Sequence, residues 1–286
     1  MYSKKLILSI PFEDRYCIID GRKCRYWETG DSGEALVLIH GLGGTIEQWA
    51  MNIESLSKTH RVFCLDMPGC GKTAPQPDND YTLSSLARFV DSFVREKGLG
   101  KFSIIGLSMG GAVMLQYALD FPCKINKLVS VGGAALGSRM ALVFRLLTLP
   151  LIDTIPGLLT RGMFSIFVRS MVYDRSIIDN EIINFYYSGM RNRSLRQAFL
   201  KTLKANCSIF GLKKHVRLDI IDQLSRITQP VLIIWGKNDI HMPIKNALEA
   251  SEVLPSSQLI LFDNCKHNPQ FEKPEDFSKA VLDFIG

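Results

Sequence analysis

The feature that most constrains the fold is the pentapeptide GLSMG at residues 106–110, which follows a short apolar run and precedes a helical pattern. Glycine on both sides of the serine lets a strand and a helix approach across a turn too tight for side chains. Such a turn holds its serine in a strained, exposed conformation, with the first N–H groups of the helix pointing toward it. The pentapeptide therefore predicts that Ser108 is a nucleophile.

Runs of apolar residues alternate with helical patterns over most of the chain. The strand-like runs cover 35–40, 61–66, 102–106, 127–131, 230–236 and 257–262, and the helical patterns cover 46–56, 83–97, 110–120, 244–254 and 274–285. Asp20 and Gly21 separate two further strand-like runs and predict a hairpin. Short strand–helix alternation predicts an α/β fold, with a mostly parallel central sheet flanked by helices on both faces.

The segment 134–217 differs from the rest in pattern and charge. It has helical patterns without strand-like runs, and it contains 13 Lys and Arg against 4 Asp and Glu, whereas the remainder contains 21 against 24. A segment with its own pattern and charge is a candidate insertion. We therefore expect residues 1–133 and 218–286 to form one core domain, and residues 134–217 to form a helical cap inserted into it.

The composition disfavours several classes of protein. No apolar stretch approaches the roughly 18 residues of a membrane-spanning helix, and only a short apolar run follows the basic pair near the start. We therefore expect a cytoplasmic protein without stable membrane insertion. Seven scattered cysteines without a CxxC pair predict free thiols rather than a disulfide framework or a metal site.

The stretch 67–73 (MPGCGKT) ends like a phosphate-binding loop. That motif needs a glycine at position 66, and Asp66 stands there instead. We therefore expect a plain turn after a strand. The basic residues also show no recognisable nucleic-acid motif, so we expect neither nucleotide nor nucleic-acid binding.

A serine hydroxyl needs a general base, and the chain has five histidines. His267 is the best candidate because it lies in the loop after the last predicted strand, just ahead of the closing helix. His241 lies too close in sequence to the candidate acid to be its partner. We expect His40 to have a structural role at a turn, and His60 and His215 to be solvated.

The acid that orients the base is expected between the serine and the histidine in chain order. Asp239 satisfies this order and follows a predicted strand. Because loops after parallel strands emerge at the same sheet edge, we expect Ser108, Asp239 and His267 to meet there. Asp263, four residues before His267, is the alternative acid.

A negatively charged transition state also needs hydrogen-bond donors. The glycines of residues 40–44 (HGLGG) free the backbone after a strand to turn its amides toward the serine. We expect the backbone N–H groups of Leu42 and Met109 to form the oxyanion hole. The chemistry predicted in this way requires no metal and no organic cofactor.

These motifs together make the chain resemble the α/β-hydrolase superfamily, specifically its capped members with a serine nucleophile. The matching stretches are LIHGLGG, LDMPGCGKT, IIGLSMGGA, PVLIIWGKNDIHMP and CKHNPQFEKPEDF. The resemblance implies a lid over the active site. Serine at position 108 argues against the haloalkane dehalogenase and epoxide hydrolase branches, which attack with a carboxylate. Carboxylesterases and hydrolases of carbon–carbon bonds in meta-cleavage products are the similar branches that remain.

The resemblance to the carbon–carbon hydrolases is incomplete. They commonly carry Asn before the nucleophile and Trp after the catalytic histidine, where this chain has Leu107 and Asn268. Arg191 matches their cap arginine only loosely. The sequence therefore favours a carboxylesterase-like enzyme that cleaves an ester with an apolar acyl or aryl group through an acyl-enzyme. Carbon–carbon hydrolysis of meta-cleavage products from aromatic degradation and non-catalytic ligand binding stay open as alternatives.

We expect the partner of this protein to be a small-molecule substrate. The sequence leaves open whether the protein is a monomer or a homodimer.

The predicted cap is rich in large apolar residues, which are Phe144, Leu146, Leu147, Leu151, Ile152, Leu158, Leu159, Met163, Phe164, Ile166 and Phe167. We expect most of them to pack against the core and a minority to line an apolar pocket. The excess of positive charge in the same segment suits an anionic substrate or an acidic lipid surface.

Overall fold

A computed structural model describes residues 12–150, 152 and 160–286; of the cap residues named above, Leu151, Leu158 and Leu159 lie outside these ranges. An eight-stranded sheet has the order β1-β2-β4-β3-β5-β6-β9-β10. Its strands are β1 (Arg15–Ile19), β2 (Arg22–Thr29), β3 (Ala35–Ile39), β4 (Arg61–Leu65), β5 (Phe102–Leu107), β6 (Ile125–Val131), β9 (Val231–Gly236) and β10 (Ser257–Phe262). A separate pair consists of β7 (Cys207–Ser208) and β8 (Gly211–Leu212).

The strand pairing confirms the predicted α/β-hydrolase fold. The strands from β4 through β10 in the sheet order pair in parallel, whereas β1 pairs antiparallel with β2 and β2 pairs antiparallel with β4. Asp20 and Gly21 join β1 to β2 with φ of 48° and 76°. Two positive φ angles in succession give the tight turn that matches the twist of a hairpin.

Helices cover both faces of the sheet, and the strand side chains divide between them. Val37 and Ile39 pack in one apolar cluster, while Leu36 and Leu38 pack in another on the opposite face. This period of two explains why the predicted strands are continuous apolar runs: each strand is buried on both sides.

The α-helices occur mostly where the pattern predicts them. They are α1 (Ile53–Leu56), α2 (Leu83–Glu96), α3 (Met109–Asp120), α4 (Leu142–Leu146), α5 (Arg161–Ser170), α6 (Asn180–Arg191), α7 (Arg193–Asn206), α8 (Lys214–Asp219), α9 (Lys245–Val253), α10 (Pro269–Glu272) and α11 (Pro274–Ile285). The predicted helix over 46–56 is wrong in extent, because a 3-10 turn at Ile46–Trp49 precedes the short α1. The described part of the chain contains no helix with the length and apolarity needed to cross a bilayer.

Among its described residues, the segment between β6 and β9 forms helices and one hairpin. The sequence predicts no strand there, and the β7–β8 pair is a correction to that expectation. Two-residue strands are too short to produce a periodic signal, so the sequence gives no sign of them. All seven cysteines are free thiols, as predicted.

A buried cluster of charges ties the antiparallel edge to the turns after β3 and β4. The Arg25 guanidinium contacts Glu47 at 2.6 Å, Asp14 at 2.6 Å and Asp66 at 3.2 Å. Asp66 Oδ1 also accepts the backbone N–H of Ile46 at 2.9 Å. One cation therefore balances carboxylates from three parts of the chain that fold together.

Replacing Arg25 tests this cluster. Arg25→Ala leaves Glu47 and Asp66 buried without their cation, so we expect a loss of about 3–5 kcal/mol in the free energy of unfolding. Arg15→Ala is the matched control, since Arg15 forms an exposed pair with Glu28 at 2.8 Å worth about 1 kcal/mol or less. Urea denaturation followed by circular dichroism measures both. Equal, small losses would show that the cluster does not hold the fold together.

Candidate active site

Ser108 lies in the turn between β5 and α3 with φ of 52° and ψ of −115°. This conformation is rare for a residue with a side chain and stores strain. The Ser108 N–H donates to the Val131 carbonyl at 2.9 Å, and the Ser108 carbonyl accepts the Ala134 N–H at 2.9 Å. The end of β6 thus holds the serine in the strained conformation that the pentapeptide predicts.

The turn is possible because glycines flank the serine. A Cβ added to Gly106 would lie 2.4 Å from the Gly110 carbonyl oxygen, and one added to Gly110 would lie 2.4 Å from the Ile39 carbonyl oxygen. No side chain fits at either distance. The backbones of β3, β5 and α3 therefore approach directly around Ser108.

His267 and Asp239 form a buried pair. The loop after β10 carries His267, the loop after β9 carries Asp239, and His267 Nδ1 lies 2.7 Å from Asp239 Oδ2. Asp239 Oδ1 accepts the backbone N–H groups of His241 at 2.8 Å and Met242 at 3.0 Å. These bonds use both carboxylate oxygens and fix the plane of the acid against the imidazole.

The electrostatics of the pair fix the tautomer of the imidazole. Burial alone would lower the pKa of His267, but the charge and hydrogen bond of Asp239 raise that pKa above the ordinary histidine value. Burial likewise opposes ionisation of Asp239, yet the charge and hydrogen bond of His267 and the two backbone donors hold the pKa of Asp239 below its ordinary value. An ionised Asp239 accepts Nδ1–H and leaves Nε2 of His267 free to take a proton.

The alternative acid, Asp263, is in a different environment. Its side chain is exposed and pairs with Lys237 at 2.8 Å. The structure therefore brings Asp239 to His267 and leaves Asp263 at the surface.

Gly132 brings the serine and the histidine to the same place. It follows Val131, the residue that holds the Ser108 N–H, and a Cβ on Gly132 would lie 3.2 Å from His267 Nδ1. The Ser108 hydroxyl and the His267 ring form no direct hydrogen bond in this structure. Both side chains lie at the carboxyl edge of the sheet, and they must come within hydrogen-bond distance of each other for a proton to pass.

The two predicted oxyanion donors border the same space as Ser108. Leu42 and Met109 line one cavity with the serine, and neither backbone N–H donates to another described residue. A Cβ on Gly41 would lie 3.4 Å from Ser108 Cβ, so the turn carrying Leu42 touches the serine. Two free amides next to a nucleophile suit a developing negative charge.

Two of the three predictions made for His40, His60 and His215 agree with the structure. His40 is buried, and its Nε2 accepts the Met67 N–H at 3.0 Å, which is the structural role expected of it. His215 is exposed, as expected. The expectation that His60 is solvated is wrong, because its ring is 3% exposed and contacts the Thr59 hydroxyl at 2.8 Å.

His241 has contacts that its sequence position does not reveal. Its Nε2 lies 2.9 Å from the Ser170 hydroxyl at the end of α5. Its ring centre lies 5.8 Å from that of Phe144, 5.6 Å from that of Phe167 and 5.9 Å from that of His267. Burial, and then the charge of His267, lower the pKa of His241 to about 4, so a neutral ring links the acid loop to the helices above it.

Two cavities meet at Leu42. The smaller, about 60 Å³, contains Ser108 and Met109 and is otherwise lined by Leu83, Ala112, Ala134, Ala135, Met140, Phe144, Thr202, Leu203, Asn206, Cys207, Leu212, Val216 and Met242. The larger, about 220 Å³, is lined mainly by apolar residues of α5 to α7, together with Gly43, Gly44, Glu47, Gln48, Asn268, Gln270 and Phe271. The described lining of both cavities includes no Lys or Arg.

The positions where the chain departs from the carbon–carbon hydrolases lie in different parts of this site. Leu107 is buried in the sheet, within one of the two apolar clusters. Asn268 lines the larger cavity. Arg191 is exposed at the end of α6 and lines neither cavity in this structure.

Comparison with known proteins identifies the family. The family described as alpha/beta hydrolase fold matches residues 34–274. A 2-hydroxy-6-oxononadienedioate/2-hydroxy-6-oxononatrienedioate hydrolase of Burkholderia vietnamiensis is 30% identical over 273 residues, covering 93% of this chain and 92% of that protein. A 2-hydroxy-6-oxo-6-(2'-aminophenyl)hexa-2,4-dienoic acid hydrolase of Metapseudomonas resinovorans is 30% identical, covering 96% and 91%.

A solved structure agrees with these relatives. A serine hydrolase involved in carbazole degradation is 27% identical and superposes with a TM-score of 0.80, covering 96% of this chain and 98% of that one. The chain belongs to the α/β-hydrolase family. It is an enzyme, a hydrolase of the serine type.

The effect of the Asp239 carboxylate on the pKa of His267 can be measured directly. In Asp239→Asn the carboxylate charge no longer raises the pKa of the imidazole, while burial still lowers it, so we expect the pKa of His267 to fall below its wild-type value. Asp263→Asn is the control and leaves that pKa unchanged. Titration of the His267 ring protons by NMR gives the three values. Equal shifts in both variants would contradict a specific Asp239–His267 pair.

Proposed function

We propose that Ser108 attacks a substrate carbonyl, with His267 as the general base and Asp239 as the acid that orients it. The 2.7 Å contact between His267 and Asp239, at the sheet edge that carries the strained serine, is the observation that supports this most strongly. The amides of Leu42 and Met109 are the proposed oxyanion donors.

The proposed reaction has two halves. His267 Nε2 takes the hydroxyl proton while Ser108 Oγ bonds to the carbonyl carbon, and the oxygen of that carbonyl becomes negative between the two amides. Collapse of this intermediate breaks the bond to the leaving group, which takes the proton from His267 and leaves an acyl-serine. Water then attacks the acyl carbon while His267 Nε2 takes a proton from it, and the bond between Ser108 Oγ and the acyl carbon breaks. Oγ takes the proton back from His267 and the acid is released. These steps need no metal or cofactor.

We place carbon–carbon hydrolysis first among the candidate reactions. Both curated relatives are named for 2-hydroxy-6-oxo dienoic or dienedioic acids and align with this chain over more than 90% of its length. In such a compound the 6-oxo carbon is a ketone that a serine can attack, and the leaving group is a carbon that must be protonated. The ester preference drawn from the sequence has no counterpart in these names.

Ester hydrolysis is kept as a second candidate on one structural observation. Substrates of the relatives carry at least one carboxylate by name, whereas the described lining of the Ser108 cavity is mainly apolar and contains no cation. Leu107 and Asn268 also replace the residues usual in the carbon–carbon branch. An ester with an apolar acyl or aryl group fits this lining better than a dicarboxylate does.

We further propose that residues 134–217 act as the cap and that the acyl group lies beneath it. Phe164, Phe167 and Met171 of this segment face Leu42 and Phe271 of the remaining chain across the larger cavity. The segment therefore closes the space next to the proposed oxyanion hole. A cytoplasmic location and a homodimer stay predictions from the sequence.

Substrate turnover tests both the nucleophile and the bond. We expect the wild type to hydrolyse 2-hydroxy-6-oxo-6-phenylhexa-2,4-dienoate, seen as loss of its visible absorbance. Ser108→Ala lowers kcat by about 10⁴-fold or more, because no nucleophile remains. Ser194→Ala, at an exposed position on α7, is the control and retains full activity.

A parallel assay with p-nitrophenyl esters of increasing chain length separates the two candidates. Turnover of esters without turnover of the dienoate would replace the first candidate with the second. If neither class is hydrolysed and a fluorophosphonate probe fails to label Ser108, the proposed nucleophile is wrong.

A further inference from the structure

Large apolar side chains are exposed on three elements of the segment 134–217. The most exposed are Phe210 between β7 and β8 at 90%, Ile166 on α5 at 73% and Leu142 on α4 at 59%. The others on these elements or directly beside them are Val143, Leu146, Leu149 and Met163. We call these seven residues the apolar rim.

The three elements are neighbours, so the apolar rim is one surface. Phe144 of α4 packs edge-on against Phe167 of α5, with 5.7 Å between ring centres. On the other side of α4, the Arg145 side chain donates to the Ile209 carbonyl at 2.6 Å, next to Phe210. Helix α4 therefore lies between α5 and the hairpin.

Two residues of the apolar rim border the larger cavity. Val143 and Met163 are both exposed and both line that cavity, which places them at its mouth. Met163 and Ile166 lie three residues apart on one side of α5, while Phe164 and Phe167 of the same helix line the interior. Part of the apolar rim therefore lies beside an opening of the cavity.

The rim is set in a strongly basic surface. Of the 13 Lys and Arg in 134–217, only Arg139 pairs with a carboxylate among the described residues, and its partner is Glu249. Five of these cations lie on the same elements as the rim or directly after them and have no carboxylate partner within the described ranges, namely Arg145, Arg161, Arg169, Lys213 and Lys214. The surface around the rim therefore carries an excess of positive charge.

Either a second copy of the chain or a lipid bilayer can cover an apolar surface, and the charge around the rim distinguishes between these two partners. A second copy of the chain would bring the same excess of positive charge against it. An anionic bilayer attracts each nearby Lys or Arg by about 1 kcal/mol and also accepts protruding apolar side chains at the headgroup boundary. The combination of exposed Phe, Leu and Ile with unpaired cations therefore favours a lipid surface.

We propose that the apolar rim docks the enzyme peripherally on an anionic lipid bilayer, with the mouth of the larger cavity facing the lipid. Phe210, Ile166 and Leu142 enter the interface, and the surrounding cations bind lipid phosphates. This docking goes beyond the proposed function and holds whichever carbonyl bond is cleaved.

Co-sedimentation with vesicles tests the docking. We expect the full chain to bind phosphatidylcholine vesicles that contain phosphatidylglycerol, to bind pure phosphatidylcholine weakly, and to dissociate as salt is raised. Phe210→Ser combined with Ile166→Ser lowers the partition coefficient at least about tenfold. Ile18→Ser is the matched control, since Ile18 is 60% exposed on the edge strand β1 and its replacement leaves binding unchanged.

A second set of variants tests how much the positive charge contributes to vesicle binding. Lys213→Glu with Lys214→Glu weakens binding to the anionic vesicles, whereas Lys101→Glu, at an exposed position outside the segment, has little effect. None of the replaced residues lines either cavity, so hydrolysis of a soluble substrate without vesicles serves as the check on folding. This activity is expected to be unchanged in every variant.

Three outcomes would overturn the proposal. Equal binding to neutral and anionic vesicles would remove the role of the cations, and wild-type binding by the Phe210→Ser, Ile166→Ser variant would remove the rim. Dimerisation that this variant abolishes, without vesicle binding by the wild type, would assign the surface to a second copy. A chain that binds vesicles but hydrolyses nothing would contradict only the proposed function.

Discussion

Direct backbone contact around Ser108 is the constraint on which the rest of the site depends. Gly110 touches the end of β3, Gly106 touches Gly110, and a Cβ on Gly111 would lie 2.8 Å from Gly133 after β6. Three strand ends can converge on one serine only because no side chain separates them. The same contacts place the turns that contain Leu42 and Gly132 next to Ser108. The turn that strains Ser108 therefore also brings these two turns to it.

The parallel pairing of the strands brings Asp239 and His267 to the same edge of the sheet. Asp239 and His267 leave adjacent strands, β9 and β10, at the same edge, and they bond within a buried environment. Burial strengthens their mutual attraction because little water screens it. Toward the other edge of the sheet, the Arg25 side chain donates to Asp66, and Asp66 accepts the backbone N–H of Ile46 at the start of the next turn. The loops of the site are thus fixed from both ends of the sheet.

Much of this arrangement follows from local sequence. The buried strands are continuous apolar runs, the GLSMG turn requires its glycines, and the order of Ser108, Asp239 and His267 matches the sheet edge at which their loops lie. The β7–β8 hairpin and the break in the helix over 46–56 are too short for a periodic pattern. The burial of His60 depends on which elements pack over it, and no neighbour in sequence reports that.

The substrate is the least accessible property from sequence alone. Motifs around the nucleophile are shared by enzymes that cleave different bonds, whereas the lining of the cavities comes from side chains scattered over α4 to α7. Leu107 and Asn268 distinguish this chain from the carbon–carbon branch, while its overall similarity is to members of that branch. Overall similarity and the lining of the cavities therefore point to different substrates.

The contacts at the end of α5 have a mechanical consequence. The Ser170 hydroxyl meets the His241 ring, and the Met171 carbonyl accepts the His267 N–H at 3.0 Å. Swinging α5 away would break both bonds and release the two loops that hold the proton-transfer pair. Helix α5 therefore supports, from outside the sheet, both of the loops that position Asp239 and His267.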